Sequence, residues 1–209
     1  SYLSCYSLEE SGYYVIAKTW YASEMSRPGC VWTHSLLIRK EELVYIADFK
    51  QLLKFFVRPT SDADYSKYIE YDDSNFSQNQ IKLDNFSSLF LWQMYTALWK
   101  GDNLLFLPLQ DKDVCQYLVL QFLIYLPSGL LNEINICTGA IGEHPFDNQN
   151  YTRLFSPMAE MKSNNFSEEE NKCIKRLVDA GLYDDDQMRR LIRNFDNEIE
   201  DSLAKISAF

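Results

Sequence analysis

The chain has 209 residues and a formal charge of −10, from 20 Lys and Arg against 30 Asp and Glu. That balance disfavours nucleic acid as the main partner, because phosphate binding calls for a basic face. Hydrophobic residues at 46% and aromatics at 15%, with seven Gly, describe a chain that buries rings in a large core and is not disordered throughout. The length suits one large domain, or a domain with an appendage. The acidity is uneven: up to position 58, Lys18, Arg27, Arg39, Lys40, Lys50, Lys54 and Arg58 stand against six acids.

Cysteines at 5, 30, 115, 137 and 173 are odd in number and lack C-x-x-C spacing. This argues against a disulfide framework or a zinc knot, and free thiols fit a reducing cytoplasm. Two histidines 110 positions apart, outside any H-x-x-x-H pattern, give no metal centre, and no cofactor is expected. The longest apolar run, near Val114–Leu126, is too short to cross a bilayer, and the opening residues do not read as a signal peptide. No membrane association is expected.

In chain order, Tyr13–Trp20 is rich in β-branched and aromatic residues and reads as a strand. Arg27-Pro28-Gly29 marks a turn, and Cys30–Ile38 reads as a second strand, so an antiparallel hairpin is the expected unit. Ile46, Phe49, Leu53 and Phe56 share one helical face, and Arg58-Pro59 stops that helix. Thr60–Asp84 is polar and acidic and reads as a surface loop, with Tyr65, Tyr68 and Tyr71 as side chains of a short turn.

Asn85 is positioned to cap a helix over Phe86–Trp99 that is apolar nearly all round. Such a helix is either buried on several sides or covered by a partner. Leu104–Leu109 reads as a strand, Asp111 or Asp113 opens a helix over Val114–Leu126, and Ile134–Thr138 reads as another strand. That order predicts a βαβ unit. Gly139–Asn165 is loop-like. Ser167-x-x-Glu170 is a capping box for a helix ending at Gly181. A second helix starts at Asp184–Asp186, with Met188, Ile192, Phe195, Ile199, Leu203 and Ile206 on one stripe.

The fold class expected is therefore α/β: an antiparallel hairpin plus a βαβ unit with packed helices, then a C-terminal helical hairpin. The boundaries are 1–165 for the α/β domain and 166–209 for the hairpin. Phe90, Trp92, Tyr95, Trp99, Ile192, Phe195 and Ile199 are candidate docking residues, since large apolar patches need a cover.

The candidate site is the run Arg27-Pro28-Gly29-Cys30-Val31-Trp32-Thr33-His34. Cys30, Trp32 and His34 share a strand face, which suits a packed core with a hydrogen-bonded histidine. A thiolate nucleophile needs a base in hydrogen-bond reach, and Cys30 and His34 lie about 13 Å apart along a straight strand. A cysteine-dependent hydrolase therefore requires Cys30 or Cys137 to meet His34 or His144 through the fold. Asp184-Asp185-Asp186 reads as helix capping and not as a cation site. The chain lacks G-x-x-x-x-G-K-[ST], G-x-G-x-x-G and G-x-S-x-G, which weakens the common nucleotide-binding and hydrolase classes.

Tyr14–Trp20, Met25-x-Arg27-Pro28-Gly29-Cys30-Val31-Trp32-Thr33-His34-Ser35-Leu36 and Phe56-x-Arg58-Pro59 together resemble the N-terminal domain of bacterial GTPase-associated protein 1. A second similar segment runs from Leu126-Pro127 to Asn135-Ile136-Cys137-Thr138. It carries Leu131 and Asn132 where the family tends to have arginine, which argues against anion binding there. The likeness is fullest over Tyr13–Pro59, thins toward Gly142 and does not extend to the C-terminal hairpin. It implies a component of prokaryotic conflict systems, acting against phage and encoded beside a GTPase. It further implies a recognition or adaptor module without established catalytic activity, with protein partners or oligomers. It also implies that family members have sequence before the Tyr13 strand.

Overall fold

The structure, a computed structural model, describes residues 1–8, 10–59, 84–100, 111–139, 152–154 and 166–194. Its frame is a mixed α/β fold in which a five-stranded sheet packs against helices. Strands β1 (Tyr2–Leu8), β2 (Tyr13–Tyr21) and β3 (Val31–Arg39) form an antiparallel meander. Strand β4 (Asn135–Cys137) pairs antiparallel with β1, and β5 (Thr152–Leu154) pairs parallel with β4. The order across the sheet is β3-β2-β1-β4-β5.

The predicted hairpin is present, with Gly29 at φ +81° in its turn. That left-handed backbone is open to glycine at little cost. Strand β1 has no counterpart among the predicted elements, although Leu3 and Cys5 alternate with Ser4 and Tyr6 at strand period. The strand predicted over Leu104–Leu109 lies outside the described residues. The parallel pairing seen is that of β4 with β5.

One sheet face carries Leu3, Cys5, Tyr14, Ile16 and Trp32, all buried. The helices cover it: α1 (Asn85–Lys100), α2 (Lys112–Ile124), α3 (Ser128–Glu133), α4 (Glu168–Tyr183) and α5 (Asp186–Asn194). Helix α2 is the central one, buried from Cys115 to Ile124 except at Tyr117. Each of its two buried amides donates through Nε2, which offsets part of the cost of burying it. Gln116 Nε2 donates to the Ser1 carbonyl at 3.3 Å, and Gln121 Nε2 donates to the Gly181 carbonyl at 3.0 Å.

The apolar girth of α1 is explained by α2 on one side and α4 on another. A Cβ on Gly181 would stand 2.9 Å from Leu91 Cδ1, so this glycine sets how closely α4 approaches α1. Asp84, and not Asn85, supplies the carboxylate that accepts from Ser87 N at 3.1 Å. Asp111 caps α2 through Asp113 N and Val114 N. The Ser167–Glu170 capping box is complete, but α4 runs past Gly181 to Tyr183 and ends on Asp184 at φ +57°.

The predicted helix over Ile46–Phe56 is corrected to two 3-10 segments, Lys40–Tyr45 and Phe49–Phe55, with extended backbone between them. Asp48 explains the break, because its carboxylate accepts from Lys50 N at 2.9 Å and restarts the winding. Lys50 is then fixed where it is 3% exposed. Its ammonium reaches Asp184 at 3.2 Å, Asp48 at 3.7 Å and the Tyr117 hydroxyl at 3.4 Å. Arg189 also pairs with Asp184. Burial works to raise the Asp184 carboxyl, but Lys50 and Arg189 outweigh it and hold it below its ordinary value. This cluster ties the second 3-10 segment to the α4–α5 junction. The ties from Trp99 Nε1 to Glu170 at 3.0 Å and from the Tyr125 hydroxyl to the Asp185 carbonyl at 3.3 Å act alongside it.

Gly139, just after β4, has no room for a side chain. An added Cβ would fall 2.3 Å from Tyr2 Cγ and 2.5 Å from Tyr2 Cβ, close to the β1 backbone. Gly139→Ala is expected to lower stability by about 1–3 kcal/mol, read from chemical denaturation. A stability unchanged within about 0.5 kcal/mol would show that the β1–β4 junction yields freely.

Candidate functional site

The ladder between β2 and β3 is unbroken, so the alternation of the motif is preserved. Trp32 and His34 lie on the helix-facing side. Val31, Thr33 and Ser35 lie on the other and are exposed. Chain leaving the second 3-10 segment then crosses this end of the hairpin, and the motif side chains grip it.

Trp32 is 1% exposed. A buried indole N–H requires an acceptor, and Glu24 Oε1 provides it at 2.6 Å. Arg58 Nη2 donates to both oxygens of the same carboxylate, at 2.8 and 2.7 Å, and to the Tyr21 carbonyl at 3.1 Å. The Arg58 hydrogen bonds, with smaller help from Glu24's own backbone and from Trp32, hold the Glu24 carboxyl down to about 2. Glu24 therefore stays ionised and joins the β2–β3 turn to the segment after residue 55.

His34 makes the second attachment. Its Nδ1 accepts from the Val57 backbone N–H at 3.0 Å, and its ring meets Phe56 edge-on at 5.7 Å between centroids. Burial holds the imidazole below its ordinary value. Only a ring with an unprotonated Nδ1 accepts the Val57 N–H. The pH dependence follows. The folded value lies below the unfolded value of about 6.5, so the contribution of His34 is full above the unfolded value and is lost as pH falls below it and through the folded value. Thermal melts are expected to show a fall in stability from pH 7.5 to 5.5. That fall should be smaller in His34→Asn, which keeps an acceptor near the Nδ1 position and does not titrate. An identical fall in both proteins would place the titrating group elsewhere.

The sequence-designated residues come together only in part. Trp32 and His34 converge on Glu24 and Val57–Arg58, while Arg27, Pro28 and Gly29 are exposed in the turn. Cys30 precedes β3, is half-buried, and lends its carbonyl to Ala22 N at 3.0 Å. The regular strand leaves it about 13 Å from His34. Cys137 sits on β4, three strand spacings or about 14 Å from β3. Its row, with Ser4, Ala17 and Ser35, faces away from that of His34, and its sulfur accepts from Ser4 Oγ at 3.5 Å. His144 lies outside the described residues.

Phe90, Tyr95 and Ile192, read from sequence as docking residues, are 1%, 1% and 4% exposed and fill the core. Phe90 and Tyr95 offer no surface because α2 and α4 cover α1, and Ile192 of α5 joins the same core. Trp92 and Trp99 are half-buried, and Phe195 and Ile199 lie outside the described residues. Among the described residues no group of three or more His, Cys, Asp or Glu is placed to hold a metal, and no helix is long and apolar enough to cross a membrane.

Sequence reasoning missed Glu24. A buried tryptophan predicts an acceptor for its N–H, but nothing in the residue order says that this acceptor is a turn carboxylate shared with Arg58.

Against known proteins, residues 1–56 match the family model described as GTPase-associated protein 1, N-terminal domain type 1. The matched stretch runs from β1 through the second 3-10 segment and includes Glu24, Trp32 and His34. No curated protein and no solved structure matches the chain.

Proposed function

We propose that this chain is a non-enzymatic recognition or adaptor module of a bacterial anti-phage conflict system, and that it assembles with a GTPase. The match of residues 1–56 to a GTPase-associated domain supports the partner class. The observation that carries the adaptor reading is where the motif side chains go. Trp32 and His34 hold the Phe56–Arg58 segment against the hairpin, so the chemistry-bearing residues of the motif serve as scaffold.

The experiment is titration of the purified chain with the GTPase that the resemblance expects to be encoded beside it, loaded in turn with GDP and a non-hydrolysable GTP analogue. A complex in at least one nucleotide state is the expected result. Absence of binding in both states overturns the reading.

Thiol labelling tests the absence of catalysis separately. Burial pushes the Cys5 thiol well up and raises Cys173, and Cys115 is fully buried. Iodoacetamide is expected to label the half-buried Cys30 and Cys137 first, no faster than an ordinary free thiol. One thiol reacting many times faster, with a pH profile displaced to acid, would return a cysteine nucleophile to the front.

A further inference from the structure

Among the described residues, strand β3 is an edge of the sheet. The bonds from Ala22 N to the Cys30 carbonyl and from Lys40 N to the Gly12 carbonyl fix which β3 residues face β2. In an antiparallel ladder such residues alternate, so Val31, Thr33, Ser35, Leu37 and Arg39 turn their backbone N–H and C=O groups outward. All five are exposed, Leu37 at 59% and Val31 at 48%, and among the described residues these outward backbone groups have no partner. Sheet edges are ordinarily blunted by proline, a bulge or mid-strand charge. This one runs nine residues without proline or bulge, and its single charge is Arg39 at the end.

We propose that β3 pairs antiparallel with the β3 of a second copy of this chain, about a two-fold axis at Ser35. Self-pairing satisfies the whole edge, and the charge at its ends favours a second copy over an unrelated strand. The outward groups are symmetric about Ser35, so every one finds a partner: Ser35 opposite Ser35, Thr33 opposite Leu37, and Val31 opposite Arg39, whose aliphatic stem covers it. The ends are also complementary in charge. In an antiparallel pair, Glu41 and Glu42, which follow the end of β3 in one copy, come to the same end of the interface as the Arg27-Pro28-Gly29 turn that precedes β3 in the other. The result is a continuous ten-stranded sheet with an isologous interface, the commonest symmetry for a homodimer.

Sedimentation equilibrium on the chain tests this, with a species of twice 24.5 kDa as the expected result. Ser35→Lys and Ser35→Glu each place like charges face to face at the axis. Each is expected to weaken self-association on the order of a hundredfold without changing the melting curve at low concentration. A 1:1 mixture of the two variants is expected to restore the dimer, which only pairing of residue 35 with itself explains. Ser35→Pro, which removes an outward N–H while sparing the β2 ladder, is expected to abolish the dimer as well. A monomeric wild type, or a dimer untouched by these substitutions, overturns the proposal. In the first case the open edge is left to a strand from another protein.

Discussion

Trp32→Ala is expected to lower unfolding stability by about 3–5 kcal/mol, because the largest fully buried side chain leaves a cavity that the sheet and helices cannot close. The substitution also removes the donor at 2.6 Å from Glu24, leaving the Glu24–Arg58 pair as an exposed-side ion pair at 2.7 Å. Trp32→Phe separates the two contributions. It keeps an aromatic ring in the core and loses the indole N–H, so its cost is expected near 1 kcal/mol beyond the lost volume. Urea denaturation checks both variants. If Trp32→Ala costs less than about 1 kcal/mol, the hairpin end is not held as the structure describes.

The second large effect lies at Lys50. Its ammonium is almost fully buried, and its carboxylate partners are Asp48 and Asp184. Asp48→Asn combined with Asp184→Asn leaves that charge without a counter-ion. It is expected to cost about 3 kcal/mol, the low end for breaking a buried pair, because the Asp184 side chain is 46% exposed. Asparagine suits position 184 because it tolerates the left-handed backbone there. Adding Lys50→Met removes the stranded charge and leaves an unbranched side chain one atom shorter, and is expected to recover most of the loss. If the triple variant is as unstable as the double, the ion cluster is not the cause.

Much of the frame was readable from residue order. The β2–β3 hairpin announced itself through β-branched and aromatic runs on either side of Pro28-Gly29. Helices α2 and α4 did so through Asp111 and the Ser167–Glu170 box, where a cap and an apolar face agree. Strand β1 was harder. Leu3 and Cys5 are only two inward positions, and its place at the centre of the sheet comes from long-range pairing with β2 and β4. The helical spacing of Ile46, Phe49, Leu53 and Phe56 was misleading, because the Asp48 carboxylate competes locally for Lys50 N and splits the segment.

The site was legible as a location but not as a mechanism. Period-2 spacing places Cys30, Trp32 and His34 on one face, and strand geometry keeps the thiol from the imidazole. The spacing does not say that Glu24 and Val57 are the partners, since those contacts depend on where the second 3-10 segment returns to the hairpin. The interface residues show the same limit. The girth of α1 signals that it is covered, and only packing reveals that α2 and α4 do the covering, with Phe90 and Tyr95 as core.

The central claim is that the motif side chains are scaffold. The most direct measurement is GTPase affinity of the double variant Cys30→Ser with His34→Asn, alongside its melting temperature at pH 7.5. The sulfur and the titrating ring are gone, while the Val57 N–H keeps an acceptor. The account predicts an affinity within about threefold of wild type, with a melt lowered only by the lost ring contact with Phe56. Such a melt with association lost by tenfold or more would contradict it, and would make Cys30 and His34 part of the working surface.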